Sequence, residues 1–399
     1  MKGYATSVPS DELGRRIQRF QVMLSDKGIS GALILQKTDF YYFSGTLQQG
    51  WLYIPVEGSP VLMVQKDYDR ACAESAIEDV AFVKTFKMIP GTLKEHGFDT
   101  PAMIGMELDV LPVNHYRQFR NLFKKSEITD VSGEIRKVRS VKSEYEIDLV
   151  RTSSKAWDQW MEKVPEFIEE GIAEIEAAGR IEGYARKLGH QGLIRLRMWE
   201  GELFYGHLMS GAAAAAPSYL ASPTGGYGAY AAFSQGAGLK KIQKHEPVLL
   251  DFTFAMNGYI SDNTPIFSIG ALPDDLMKAH DAMLAVQEKA VEAAKPDVAA
   301  GDLYDTMVEE ARKKGMAEWF MGAPGKKIKF TGHGVGLELD EYPIIAKGQS
   351  MLLEKNMVIA LEPKVIIPDK GVVGIENMFL VTENGLERLC MFDDKIHIL

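Results

Sequence analysis

Four carboxylates and one imidazole stand out by type and setting. Asp251 and Asp262 lie among apolar and β-branched neighbours in LLDFTFAMNGYISDNTPIFSIG, residues 249–270. Glu362 stands in ALEPKV and Glu376 in GIENMFLV. His333, in TGHGVGLELDEYP, is flanked by glycines that let another group approach closely. Four carboxylates and an imidazole suit two divalent cations of intermediate hardness, such as manganese, cobalt, iron or zinc. Two such ions roughly 3.5–4 Å apart can hold a bridging hydroxide and polarise a carbonyl. The plainer alternative is a pair of solvated acids and a buried structural histidine.

Residues 249–270 read as two strands joined at Asn257-Gly258, a strong hairpin signal. A two-residue loop there sets Thr253 opposite Asp262 and Asp251 diagonal to it, with both carboxylates on one face. Two acids so placed repel each other in an apolar sheet unless a cation or a proton lies between them. The hairpin alone leaves open whether they are half of a metal site or two exposed acids.

The rest of the chain must position this hairpin. At 399 residues two domains are the natural expectation. Helix and strand alternate up to about Gly133, and the basic stretch IRKVRSVK that follows serves as the junction. The expected domains are residues 1–135 and 136–399. Ser10-Asp11-Glu12 opens the first helix with a capping serine, and Ser143 with Glu146 fits a capping box. Strands are expected over residues 193–199 and 203–211. Residues 211–238 hold five alanines followed by glycines, serines and tyrosines, a loop that is either functional or disordered. Two long helices follow the hairpin, and strands over 358–367 and 371–381 carry the two glutamates. Helices followed by an acid-bearing hairpin therefore occur twice, a hint of a pseudo-repeat.

The net charge of −10 with no offsetting basic cluster disfavours nucleic acid or an anionic membrane as partner. Cys72 and Cys390 lie far apart in no redox or metal motif, which suits reduced thiols and the cytoplasm. The N-terminal stretch lacks an apolar leader core, and no run approaches a membrane span.

The order D…D…H…E…E, within LLDFT, SDNTP, GHGVGLELDE, LEP and GIEN, resembles the M24 metallopeptidase family of Xaa-Pro dipeptidase, aminopeptidase P and the creatinase-like proteins. The stretch TDFYYFSG, residues 38–45, is similar to the N-terminal domain of the prolidase and creatinase branch. The resemblance covers nearly the whole chain. It implies an α+β protein with a C-terminal pita-bread domain and a smaller N-terminal α/β creatinase-like domain. It implies two divalent ions: Asp251 on one, His333 and Glu362 on the other, Asp262 and Glu376 bridging both. A metal-bridging hydroxide would then cleave an amide bond in a small peptide-like substrate. Glu362 could double as proton shuttle. A homodimer is implied by the same likeness.

The sequence also departs from that pattern. Where relatives carry a histidine after proline in the loop before the first aspartate, this chain has Ser218 or Ser234, according to the anchor used. Asp340 stands at a second histidine position, Pro265 at an arginine position, and Gly374 and Asn377 flank Glu376. His207 is either a replacement proton donor or a structural histidine. Asp340, Tyr219 and Tyr227 are the substrate-binding candidates, although loop tyrosines more often pack. The departures keep two other readings open: a metallohydrolase of the same fold acting on a non-peptide small molecule, and a catalytically silent binding protein.

Overall fold

A computed structural model describes residues 7–199 and 201–399. The leader reading above falls partly on residues 1–6, outside the described residues. The chain divides into two compact units, Met1–Arg139 and Ser140–Leu399.

The first unit holds β1 (Gly31–Ile34), β2 (Gly50–Pro55), β3 (Val61–Val64), β4 (Val80–Phe82), β5 (Met103–Met106) and β6 (Glu127–Asp130). They form one sheet in the order β4-β3-β2-β1-β5-β6. The connecting helices are α1 (Ser10–Asp26), α2 (Lys37–Ser44), α3 (Tyr68–Glu74), α4 (Ile89–Glu95), α5 (Val113–Leu122) and α6 (Ser132–Ser140). At the start of α1, Pro9 rather than Ser10 takes the cap position, and no side chain caps it. The junction stretch IRKVRSVK is mostly helical, within α6, and Arg139 donates to the buried Asp39 at 2.6 Å.

The second unit opens with α7 (Glu144–Met161), where the Ser143–Glu146 capping box is complete. Then come α8 (Glu174–Lys187), β7 (Gly206–Ser210), the short α9 (Gly211–Ala214), β8 (Val248–Met256), β9 (Tyr259–Asn263) and β10 (Ile266–Ser268). Helices α10 (Asp274–Ala293) and α11 (Ala300–Lys313) precede β11 (Phe330–Gly334), β12 (Glu341–Ala346), β13 (Val358–Leu361), β14 (Lys364–Ile367), β15 (Gly371–Gly374), β16 (Asn377–Thr382), β17 (Gly385–Arg388) and β18 (His397–Ile398). One sheet runs β18-β10-β8-β7 with β9 on β8, and a second runs β12-β11-β13-β16-β17. Trp157, Trp160 and α8 close an apolar core against β8, while α10 and α11 close another against β13 and β16. This is the doubled helix-and-hairpin order of the sequence, folded as two sheets each backed by helices.

Residues 193–199 form no strand among the described residues. Of the apolar residues there only Ile194 is buried, while Leu193, Met198 and Trp199 are exposed, and a single bridge joins Leu196 to Leu339. The strands expected over 358–367 and 371–381 are each broken. The first breaks at Glu362-Pro363, because proline has no N–H for the ladder. The second breaks at Ile375-Glu376, where the chain leaves β14 and Glu376 pairs with Thr264.

Candidate metal centre

The hairpin forms as its turn demands. Asn257 and Gly258 both have positive φ, at 52° and 87°, and Thr253 lies opposite Asp262. Pro265 then interrupts the second strand. The buried Thr264 there bridges to the Glu376 backbone, just before β16 of the other sheet. His333 sits on β11, between β12 and β13. A Cβ on Gly332 would lie 2.2 Å from the Ala360 carbonyl oxygen, and one on Gly334 would lie 2.1 Å from that of Tyr342. The two glycines thus let neighbouring strands close on the histidine. The Gln287 side chain of α10 donates to the Leu361 carbonyl and accepts from Asn377, so one buried amide fixes the residues adjoining both glutamates.

Asp262, His333 and Glu376 converge, and among the described residues they form the cluster of acids and histidines able to hold a metal ion. Each offers one ligand atom, and these lie within 4.8 Å of one another. His333 Nε2 lies 3.5 Å from Asp262 Oδ2 and 3.7 Å from Glu376 Oε1. Its Nδ1 lies 3.1 Å from the Gly334 carbonyl oxygen, which can only accept, so Nδ1 carries a proton and Nε2 faces the acids. Asp262 Oδ1 is buried and has no hydrogen-bond partner. An orphaned carboxylate oxygen beside an imidazole nitrogen and a second carboxylate fits a divalent cation of intermediate hardness.

Asp251 and Glu362 lie next to this cluster but are already engaged. The Lys364 ammonium donates to Asp251 Oδ2 at 3.0 Å, Glu362 Oε2 at 3.0 Å and Glu376 Oε2 at 2.9 Å. Sequence reading passed over this lysine. The available signal was a charge two residues from Glu362 in the otherwise apolar run LEPKVII.

Burial dominates the electrostatics. It raises the Asp262 carboxyl well above its ordinary value, helped by the charge of Glu376. It pushes Glu362 up to about 7, although Lys364 pulls the other way. Burial would also raise Glu376, but Lys364 and His333 outweigh it and hold that carboxyl below the usual range. Burial would lower His333, yet Asp340, Glu376 and Asp262 together hold it well above its usual value.

A pocket opens over the centre. Asp251, Asp262, His333, Glu362 and Glu376 line it, with Leu196, Met198, Leu203, Leu220, Phe330 and Leu339 as apolar wall. Asp340 lines it too, 3.7 Å from His333 Nδ1. His207 faces it from β7, opposite Asp251, with Nε2 3.2 Å from Gln235 Oε1. Tyr219 borders a separate hollow with Glu202 and Phe233, and the exposed Tyr227 lines neither.

A pair of half-sheets bringing acids and an imidazole to one apolar-walled pocket defines a metal-assisted hydrolase class of site. Residues 148–383 match the model of metallopeptidase family M24, and residues 16–141 match the creatinase/prolidase N-terminal domain. The chain belongs to the M24 metallopeptidases. It is 29% identical over 378 residues to an Xaa-Pro dipeptidase of Pyrococcus furiosus, covering 94% of this chain and 97% of that protein. The solved prolidase of Pyrococcus horikoshii superposes with a TM-score of 0.80 at 26% identity, covering 95% of this chain and 99% of that one. A prolidase structure from Pyrococcus furiosus gives a TM-score of 0.76 at 27% identity, covering 94% and 99%. No helix among the described residues is long and apolar enough to cross a membrane.

Proposed function

We propose that this chain hydrolyses an amide bond in a small peptide-like substrate, with Xaa-Pro dipeptides as the first class to test. The observation that carries the reading is the convergence of Asp262, His333 and Glu376 under a pocket in a chain of this family. The relatives named Xaa-Pro dipeptidase and prolidase support the substrate class.

Asp262, His333 and Glu376 would hold a divalent cation, manganese being the first to try, with Asp251 and Glu362 beside it as the further ligands implied by the family likeness. When bound, such an ion polarises a carbonyl and acidifies water. Glu362 is the proton carrier: Lys364 holds Oε2, which leaves Oε1 to take a proton and return it to the leaving amine. His207 is a neutral wall, because burial lowers its basicity and its Nε2 donates to Gln235. The six apolar residues exclude water and receive the substrate's side chain. Asp340 orients His333 from the far side of the ring and borders the bound substrate. A homodimer in the cytoplasm completes the reading.

A second reading, hydrolysis of a small non-peptide amide, is favoured by one observation. Among the described residues no arginine or lysine lines the pocket to clamp a substrate carboxylate. A panel of Xaa-Pro dipeptides and uncharged N-acyl amides, assayed with manganese, cobalt or zinc, tests both. Turnover of dipeptides supports the first, turnover of amides alone supports the second, and turnover of neither with any metal overturns both.

A further inference from the structure

Lys364 is the charged group the family likeness does not account for. Its side chain is 1% exposed, and its three N–H bonds meet three carboxylate oxygens from three different places in the chain. Asp251 comes from β8, Glu362 from the break after β13, and Glu376 from the break before β16. The backbone of Lys364 is fixed in the β14–β15 pair opposite Gly374. Asp251, Glu362 and Glu376 line the pocket whereas Lys364 does not, so the ammonium meets the acids from beneath.

We propose that the Lys364 ammonium permanently fills one of the two cation positions implied for this fold, so that the centre takes one divalent ion, on Asp262, His333 and Glu376. This rests on reading the centre as a metal site. An ion bound to Asp251, Glu362 and Glu376 would share these carboxylates with the ammonium and would face its positive charge in a buried site. The other side of the cluster carries no such conflict. Asp262 Oδ1 is buried and unpartnered, and His333 Nε2 lies 3.5 Å from Asp262 Oδ2 and 3.7 Å from Glu376 Oε1, none of them held by the ammonium.

Metal stoichiometry tests this on the full-length chain. The protein is stripped with a chelator, dialysed against manganese(II) and counted by elemental mass spectrometry, with electron paramagnetic resonance on the same samples. The wild type should hold about one ion per chain and give the spectrum of an isolated manganese ion. Lys364→Gly and Lys364→Ser, checked for folding by circular dichroism, should rise to about two and give the signal of an exchange-coupled pair. A wild type holding two overturns the inference and leaves the metal reading standing. A wild type holding none overturns both. Folded variants that stay at one show that the lysine is not the cause, and overturn it as well. The wild-type count decides even if neither variant folds.

Discussion

Thr264 Oγ1 donates to Glu376 Oε2 at 2.7 Å, and the same two residues form the backbone bridge between the two half-sheets. With Lys364 on the same oxygen, this leaves Glu376 Oε1 turned to His333. Groups of this kind orient a ligand without touching the metal, and losing one typically weakens metal affinity about 10–100-fold. Thr264→Val should therefore weaken manganese binding about tenfold with the fold intact, and Thr264→Ser should restore it. Calorimetric titration with manganese decides. Unchanged affinity in the valine variant would mean that Lys364 alone sets the carboxylate.

Glu174 pins both ends of the loop over residues 211–238. Its Oε1 accepts from the Ser210 backbone and hydroxyl, both at 2.7 Å, and its Oε2 accepts from the Gly238 N–H at 3.0 Å. Leu220, Ala221, Ser222 and Gln235 of that loop line the pocket. Glu174→Gln turns an amide N–H toward a backbone N–H and leaves a buried donor without an acceptor, which costs about 1–3 kcal/mol. Limited proteolysis should cut the loop roughly tenfold faster. KM should rise several-fold with kcat nearly unchanged, since the acids keep their own supports. A loop no easier to cleave than in the wild type would contradict this.

Asp262 carries the opposed demands of stability and binding. Its carboxyl is buried, holds an oxygen without a partner and lies beside Glu376. Asp262→Asn should leave the unloaded protein at least as stable as the wild type, because a costly buried charge is removed. It should also abolish hydrolysis and the metal-dependent rise in melting temperature. At a hundredfold excess over Kd that rise corresponds to about 2.7 kcal/mol, roughly 5–10 °C for a unit of this size. Differential scanning fluorimetry with and without manganese reads both effects.

The part of this site legible in the sequence was the part fixed by local rules. Asn257-Gly258 sets the register of β8 and β9, so Thr253 opposite Asp262 follows from the turn alone. Ser143 and Glu146 cap their helix across three residues. Lys364 escaped notice because its meaning lies in separations of 113 and 12 residues, to Asp251 and Glu376, which no periodicity reports. Residues 193–199 misled for the converse reason. Alternation of apolar and charged residues does not by itself make a neighbouring strand: here the Arg197 side chain is more covered than Met198, and one bridge to Leu339 replaces a ladder. The breaks at Glu362-Pro363 and Ile375-Glu376 fall where strands give up pairing so that their acids can reach the centre.

Trp160 supports β8 from behind. It stacks on Phe252, the neighbour of Asp251, with ring centroids 5.1 Å apart and planes 2° from parallel. Its Nε1 donates to the Ile181 carbonyl at 2.9 Å, tying α7 to α8. Trp160→Ala should cost about 3–5 kcal/mol. Trp160→Phe keeps an aromatic face and loses the hydrogen bond, for about 1–3 kcal/mol. Chemical denaturation followed by circular dichroism ranks the two, and equal losses would show that the hydrogen bond, not the stack, holds the helix pair.

His190 gives the domain a built-in acid sensitivity. Burial lowers its pKa from 6.5 to about 4, with the Thr253 carbonyl partly opposing. Its Nδ1 accepts from the Gly192 N–H at 2.8 Å, which requires that nitrogen to be unprotonated, while Nε2 meets the Thr253 carbonyl at 3.2 Å. Above pH 6.5 both folded and unfolded chains hold the ring neutral, and the contribution of these contacts is complete. As pH falls from 6.5 toward 4 the unfolded chain takes up a proton that the folded chain refuses, so stability falls with falling pH across that window. The loss from this residue is about 3 kcal/mol once pH passes below the folded value. His190→Asn, whose carbonyl can accept from Gly192 without titrating, should flatten that part of the profile. Denaturation midpoints measured across the window check the slope, and a variant as acid-sensitive as the wild type would place the proton uptake elsewhere.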